Sequence, residues 1–261
     1  MRRSRPNLVL IICCFSFWLS SANAASLPLD PSQFPDPNSL ITPALANAIT
    51  KTVGLGTDHR SYEGASPLGN SVGLDFGLSI TVAHIPPDFA EALTSAGLNV
   101  STTSVPPLLP VPRLQLSKGL GKSFGVNFSY IGLGAFQIIG GDVKWTVAEP
   151  EEGFTTALRL SYTKCKIGFI QTTTTTPQIL FGRKLDFAEP YIGFGYQMST
   201  GTITIPLTAY GQSITIKGTG KAAGALAFTG VQFNMGLQLT VEGGYSSGGV
   251  SYFGTKIGVN L

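Results

Sequence analysis

Residues 71 to 83, SVGLDFGLSITVA, carry an apolar side chain at every second position: Val72, Leu74, Phe76, Leu78, Ile80 and Val82, with glycines, hydroxyls, Ala83 and Asp75 between them. Helices repeat every three to four residues and strands every two, so this run is a strand with one greasy face and one small or polar face. The pattern recurs. Phe124, Val126, Phe128 and Tyr130 alternate with Gly125, Asn127 and Ser129; Val143 and Trp145 with Asp142, Lys144 and Thr146; Leu158, Leu160 and Tyr162 with Arg159 and Ser161. Ile192, Phe194, Tyr196 and Met198 alternate with Gly193, Gly195 and Gln197, and Leu237, Leu239 and Val241 with Gln238, Thr240 and Glu242. Alternation alone leaves open which face is wet, because the apolar face of a soluble sandwich is its core.

The start of the chain and its composition narrow the choice. Arg2, Arg3 and Arg5, an apolar run from Leu8 to Leu19 and the ending Ala22-Asn23-Ala24 read as a secretory signal over 1–24. That run is short of the roughly 20 apolar residues a spanning helix needs. Losing the three arginines balances the remaining Lys and Arg against the 14 Asp and Glu, so no basic footprint for nucleic acid is left. Cys13 and Cys14 leave with the signal, and Cys165 alone closes no disulfide. With 32 glycines, 12% charged residues and no mature segment that could span as a helix, the hydropathy is spread as alternation. Only helices and closed barrels satisfy every backbone group in lipid, so the expected fold is all-β, an antiparallel transmembrane β-barrel.

Ten strands are expected, at 71–83, 110–118, 123–132, 138–147, 155–167, 171–185, 190–203, 218–232, 235–245 and 249–261, or twelve if 201–217 forms its own hairpin. KGLGKS, AEPEEG, DFAEP and FNMG fall at alternate junctions and read as the short periplasmic turns. Longer links, above all 84–109 with PPDFAEALTSAGL as a short helix and VPPLLPVP after it, would face outward, and Pro206 and Tyr210 are candidates for a loop tip. Ahead of the barrel at 68–261, the segment 25–67 places Ile41, Leu45 and Ile49 at helical spacing, with Asn38 or Ser39 as cap. This short N-terminal helix is either a plug in the barrel mouth or a periplasmic helix against the rim.

The last strand, SYFGTKIGVNL, sets Phe253, Ile257, Val259 and the terminal Leu261 in one row, which resembles the C-terminal insertion signal of bacterial outer-membrane barrel proteins, although most of those end in Phe. GLDFGLSIT, LSKGLGKSFG and EPYIGFGY are similar to segments of small Gram-negative barrels of no assigned activity. The resemblance implies the outer membrane of a Gram-negative bacterium as location, with membrane lipid and, through the C-terminal strand, the barrel assembly machinery as partners. It brings no activity with it.

Chemistry is sparse. His84, near Asp88, is similar in place to the rim groups of the omptin proteases, also ten-stranded barrels, but their paired acidic motifs are missing. No nucleophile, base and oxyanion site come together, so no enzyme is expected. His59, His84 and Cys165 make no metal ligand set, GLGKS is too short for a P-loop, and no cofactor is expected. The inward row is more informative: Asp75, Asp142 and Glu242 would meet Lys144, Arg159 and Lys256, beside Asn127, Gln197 and Gln238. These residues form either an ion-pair network that braces the barrel or an eyelet that filters solutes by charge and size. The leading expectation is a narrow pore or uptake channel for an unidentified small solute. The rivals are a closed structural or surface-interaction barrel, and a hydrophobic-ligand transporter with an N-terminal plug.

Overall fold

Each alternating run becomes a strand, and the strands close on themselves. The computed structural model describes residues 41–68, 73–86, 89, 91, 108–150, 153–209 and 212–260. The signal segment, the proposed caps Asn38 and Ser39, Asp88, most of the expected loop helix, Tyr210 and Leu261 lie outside them. The strands are β1 (Leu74–His84), β2 (Leu108–Leu120), β3 (Phe124–Leu133), β4 (Phe136–Ala148), β5 (Thr155–Ile167), β6 (Ile170–Gly182), β7 (Ala188–Ala209), β8 (Gln212–Asn234), β9 (Gln238–Ser246) and β10 (Ser251–Asn260). Every strand pairs with its sequence neighbours, and β1 pairs antiparallel with β10 from Asp75↔Asn260 to Ala83↔Tyr252, which closes a ten-stranded barrel. Among the described residues no helix is long and apolar enough to cross a membrane. The barrel would cross with its strands.

Burial decides which face is wet, and the order is the inverse of a soluble protein's. Leu78 is 51% exposed while its neighbour Ser79 is fully buried, and the same inversion sets Phe76, Ile80, Phe128, Leu160 and Phe194 outside against Asp75, Ser129, Ser161 and Gln197 inside. A sandwich would bury the leucines. Outside, Phe124 stacks on Trp145 at 5.9 Å near the β2–β3 turn, an aromatic pair of the kind that marks a membrane interface. In the middle of this belt, Leu78→Arg is expected to cost about 2–4 kcal/mol. Urea titration of folding into lipid vesicles checks this, and a change near zero would contradict a lipid-facing position.

Several details depart from the sequence reading. Residues 201–217 add no hairpin of their own; they lengthen β7 and β8, whose register is unbroken from Ala188↔Phe233 to Ala209↔Gln212. Pro206 therefore lies within a strand and not at a tip. VPPLLPVP is not a free loop, since Leu108–Pro112 already belong to β2. Pro110 and Pro112 pair with β1 alone, since β2 pairs with β3 only from Leu114 onward, so one side of the strand has no ladder for a proline to interrupt. The links expected to be long do not all prove so: residues 134–135 and 168–169 are two-residue turns. Gly134 and Gly168, at φ +58° and +54°, take the left-handed conformation that such turns require. Between the bounds of the described strands, the β1–β2 link is the longest, from 85 to 107.

Helix α1 (Pro43–Thr50) starts later than expected. Thr42 caps it, its hydroxyl accepting from the Leu45 N–H at 3.2 Å, and Pro43 occupies the first turn, where no N–H is needed. A π-helical turn, Lys51–Leu55, follows.

Candidate functional site

The interior is occupied by the chain itself. The inward faces of Gly218 and Gly220, near the β7–β8 end, abut Ile41 and Ala46 of the segment that carries α1; at the opposite end Leu68 approaches Gly125, beside the β2–β3 turn. Between these points, residues 56–67 run the length of the lumen, and Thr57, Asp58, His59, Arg60, Ser61, Tyr62 and Glu63 are each at most 5% exposed. The wall yields to them where it has no side chain. A Cβ on Gly254 would collide with the Tyr62 hydroxyl, and one on Gly220 with the Ala46 carbonyl. The inward glycines thus leave room for a second layer of chain.

Polar groups hold that layer in place. Glu63 receives Lys144 and Lys256, each at 3.5 Å, and the hydroxyl of Ser117 and the amide of Asn127 donate to the same carboxylate. Lys256 also meets Asp75 at 2.7 Å, and Lys144 donates to the carbonyls of Gly64 (3.0 Å) and Ser66 (2.9 Å). Arg159 donates to the Glu63 carbonyl at 2.7 Å and stands 4.0 Å from Asp142. Asp58 accepts from Thr176 and Gln197, both at 2.8 Å, while Arg113 donates to the carbonyls of Thr57 and Asp58. Arg60 lies 3.6 Å over the ring of Tyr252. Buried charges persist when ion-paired or hydrogen-bonded: Glu63, Asp75, Lys144 and Lys256 form an ion-paired cluster, and Arg60 and Arg113 donate to backbone carbonyls.

The inward residues singled out from sequence all face this interior, but not as one row of three acids against three bases. Lys144 and Lys256 turn to Glu63 of the insert. Glu242 is held by the hydroxyls of Tyr191 and Tyr252, each at 2.7 Å, and Gln238 is buried. Leu45 and Ile49 of α1 are buried, as is Ile41 just ahead of its cap. Phe253, Ile257 and Val259 share the outward face of β10. His84 is exposed at the end of β1. Sequence reasoning missed Asp58, His59, Arg60, Tyr62 and Glu63, although TDHRSYEG at 57–64 is a dense polar run just ahead of the first strand and was the available signal.

His59 bridges two wall residues, with Nε2 2.8 Å from Asp142 and Nδ1 2.8 Å from Ser129. Carboxylate, imidazole and hydroxyl in line are the components of a hydrolase relay. Here the imidazole packs on Gly140 and Ser129 is fully buried, so the three groups tie the insert to β3 and β4. Among the described residues, no cluster could hold a metal ion.

A closed antiparallel barrel with an apolar exterior and a polar interior defines the architecture of a transmembrane β-barrel. No protein-family model and no curated protein matches the sequence. Among solved structures it is similar to the N-terminal β-barrel domain of Pseudomonas aeruginosa OprF (13% identity over 70% of this chain and 97% of that one, TM-score 0.32). It is also similar to Ail of Yersinia pestis (12%, 71% and 93%, 0.28) and to Omp33 of Acinetobacter baumannii (7%, 72% and 98%, 0.29).

Proposed function

We propose that this protein is a barrel closed by its own N-terminal segment, a structural or surface-interaction protein that acts through its outer end and does not stand open as a pore. The observation that carries this reading is the passage of residues 56–67 through the lumen, with Glu63 clasped by Lys144 and Lys256. An eyelet needs its charged side chains to face water; here Asp142, Lys144, Arg159 and Lys256 meet the insert, and Asp75 and Glu242 are taken up by wall residues. The outer end has a platform to offer: β7 and β8 pair as far as Ala209↔Gln212, while β6 pairs with β7 only as far as Ile203. The inner side of this projecting arm, with Ile203 and Ile216, belongs to the same buried apolar cluster as Ile41 and Leu45. Helix α1 would thus stiffen an arm that stands clear of the membrane.

The test is solute flux through liposomes that hold the folded mature chain. No efflux of even the smallest neutral sugar is expected. Steady efflux with a size cutoff would sink the closed reading and return the lumen to the role of a filter.

A further inference from the structure

The outward face of β5 to β8 breaks the rule that the rest of the belt obeys. By register, Lys164 lies opposite Thr173, Thr173 opposite Thr200, and Thr200 opposite Lys221, so the four form one row across four strands. The next row, toward the β5–β6 turn, is Lys166, Gln171, Thr202 and Thr219, and Lys217 lies beyond it. Lys164, Lys166, Lys217 and Lys221 are all exposed. The one carboxylate in these four strands, Glu189, points into the lumen, where it accepts from the Ser66 N–H. Among the described residues of these strands, no carboxylate on this face balances the lysines.

Their depth narrows what can. Directly below the first row stand Tyr162 and Met198, both exposed, where the apolar belt begins. Outward tyrosines and then lysines at a barrel's end mark the headgroup layer, where the available anions are lipid phosphates. Lys164 and Lys221 are three strand intervals apart, about 14 Å at roughly 4.8 Å per interval. That width exceeds a single phosphate and suits a headgroup whose phosphates are separated by sugars. The threonine hydroxyls between the lysines can donate to phosphate oxygens. The wall is also hollowed here, with a shallow concavity of about 580 Å³ lined by Thr173, Thr175, Met198, Thr200, Lys221 and Ala223.

We propose that Lys164, Lys166 and Lys221, with Thr173 and Thr200, bind the phosphorylated sugar headgroup of a glycolipid in the leaflet that faces the outer end of the barrel.

The test uses the full folded chain in a zwitterionic detergent, titrated with bisphosphorylated lipid A and followed by native mass spectrometry. The comparators are the same glycolipid with one phosphate, free pyrophosphate, the double variant Lys164→Gln/Lys221→Gln, and Lys184→Gln at the opposite end of the barrel. The double variant should bind roughly tenfold to thirtyfold more weakly, with a smaller dependence on salt, while Lys184→Gln binds as wild type. The monophosphorylated lipid should bind more weakly, and pyrophosphate should not compete. Equal affinity of the double variant and wild type, or an equal loss in Lys184→Gln, would overturn the assignment. Competition by pyrophosphate at the lipid's own concentration would replace a lipid site with one for free anions. Retained heat-modifiable migration on gels shows that the variants are folded.

Discussion

Glu63→Ala should free the insert and open the barrel. Removing this carboxylate leaves Lys144 and Lys256 buried without their common partner, a change that costs about 3–5 kcal/mol when one member of a buried pair is lost. The strand ladders do not depend on Glu63, so the cost falls on docking of the insert and not on the barrel. Lys256 keeps Asp75 at 2.7 Å, which helps the wall survive. At 1.4 kcal/mol per tenfold, the undocked population should rise by roughly a hundredfold or more. Two measurements read it: protease cleavage within residues 56–67, and single-channel conductance in planar bilayers. Glu63→Gln, which keeps an acceptor for Ser117, should fall between wild type and alanine. An insert that remains protected, with conductance at the wild-type level, would show that the Glu63 cluster is not what holds the segment in the lumen.

The second large effect is one of sidedness. Because residues 56–67 cross the lumen, α1 lies at the end opposite to the start of β1 and the end of β10. Both strand termini share the end with the 121–123 and 183–187 turns, the end assigned to the periplasm in barrels of this class. A cysteine at Ala44, exposed on α1, should therefore react with a membrane-impermeant maleimide on intact cells, whereas one at Asp186 should react only after lysis. The native Cys165 is buried and contributes little background. The expected contrast is nearly all or none. Labelling of Asp186→Cys alone would invert the barrel and place α1 on the inner side.

The same geometry bears on assembly. A segment packed against the inner faces of β1 through β10 cannot thread easily through a finished barrel. The contacts that retain it are long in sequence, since Lys256 lies 193 residues from Glu63 and Asp142 lies 83 from His59. Pairing β1 with β10 would therefore close the wall around a segment already inside.

What could be read from sequence, and what could not, follows from the range of each interaction. The strands, their outward faces and their number were legible because alternation is a local property: Leu78 and Ser79 announce opposite faces whatever surrounds them. The inward positions of Asp75, Asp142, Lys144, Arg159 and Lys256 were legible for the same reason. Their partners were not. No periodicity in TDHRSYEG tells that Glu63 will lie between Lys144 and Lys256, or that His59 will join Ser129 to Asp142. The helix at Ile41, Leu45 and Ile49 was legible as an apolar stripe, but a stripe does not name the surface that buries it. Sequence by itself determined a closed, lipid-facing wall with a polar interior, because the solvent on each face is written residue by residue. Only the tertiary structure decided that residues 56–67 lie inside it, because that depends on which distant polar groups find each other once the wall has closed.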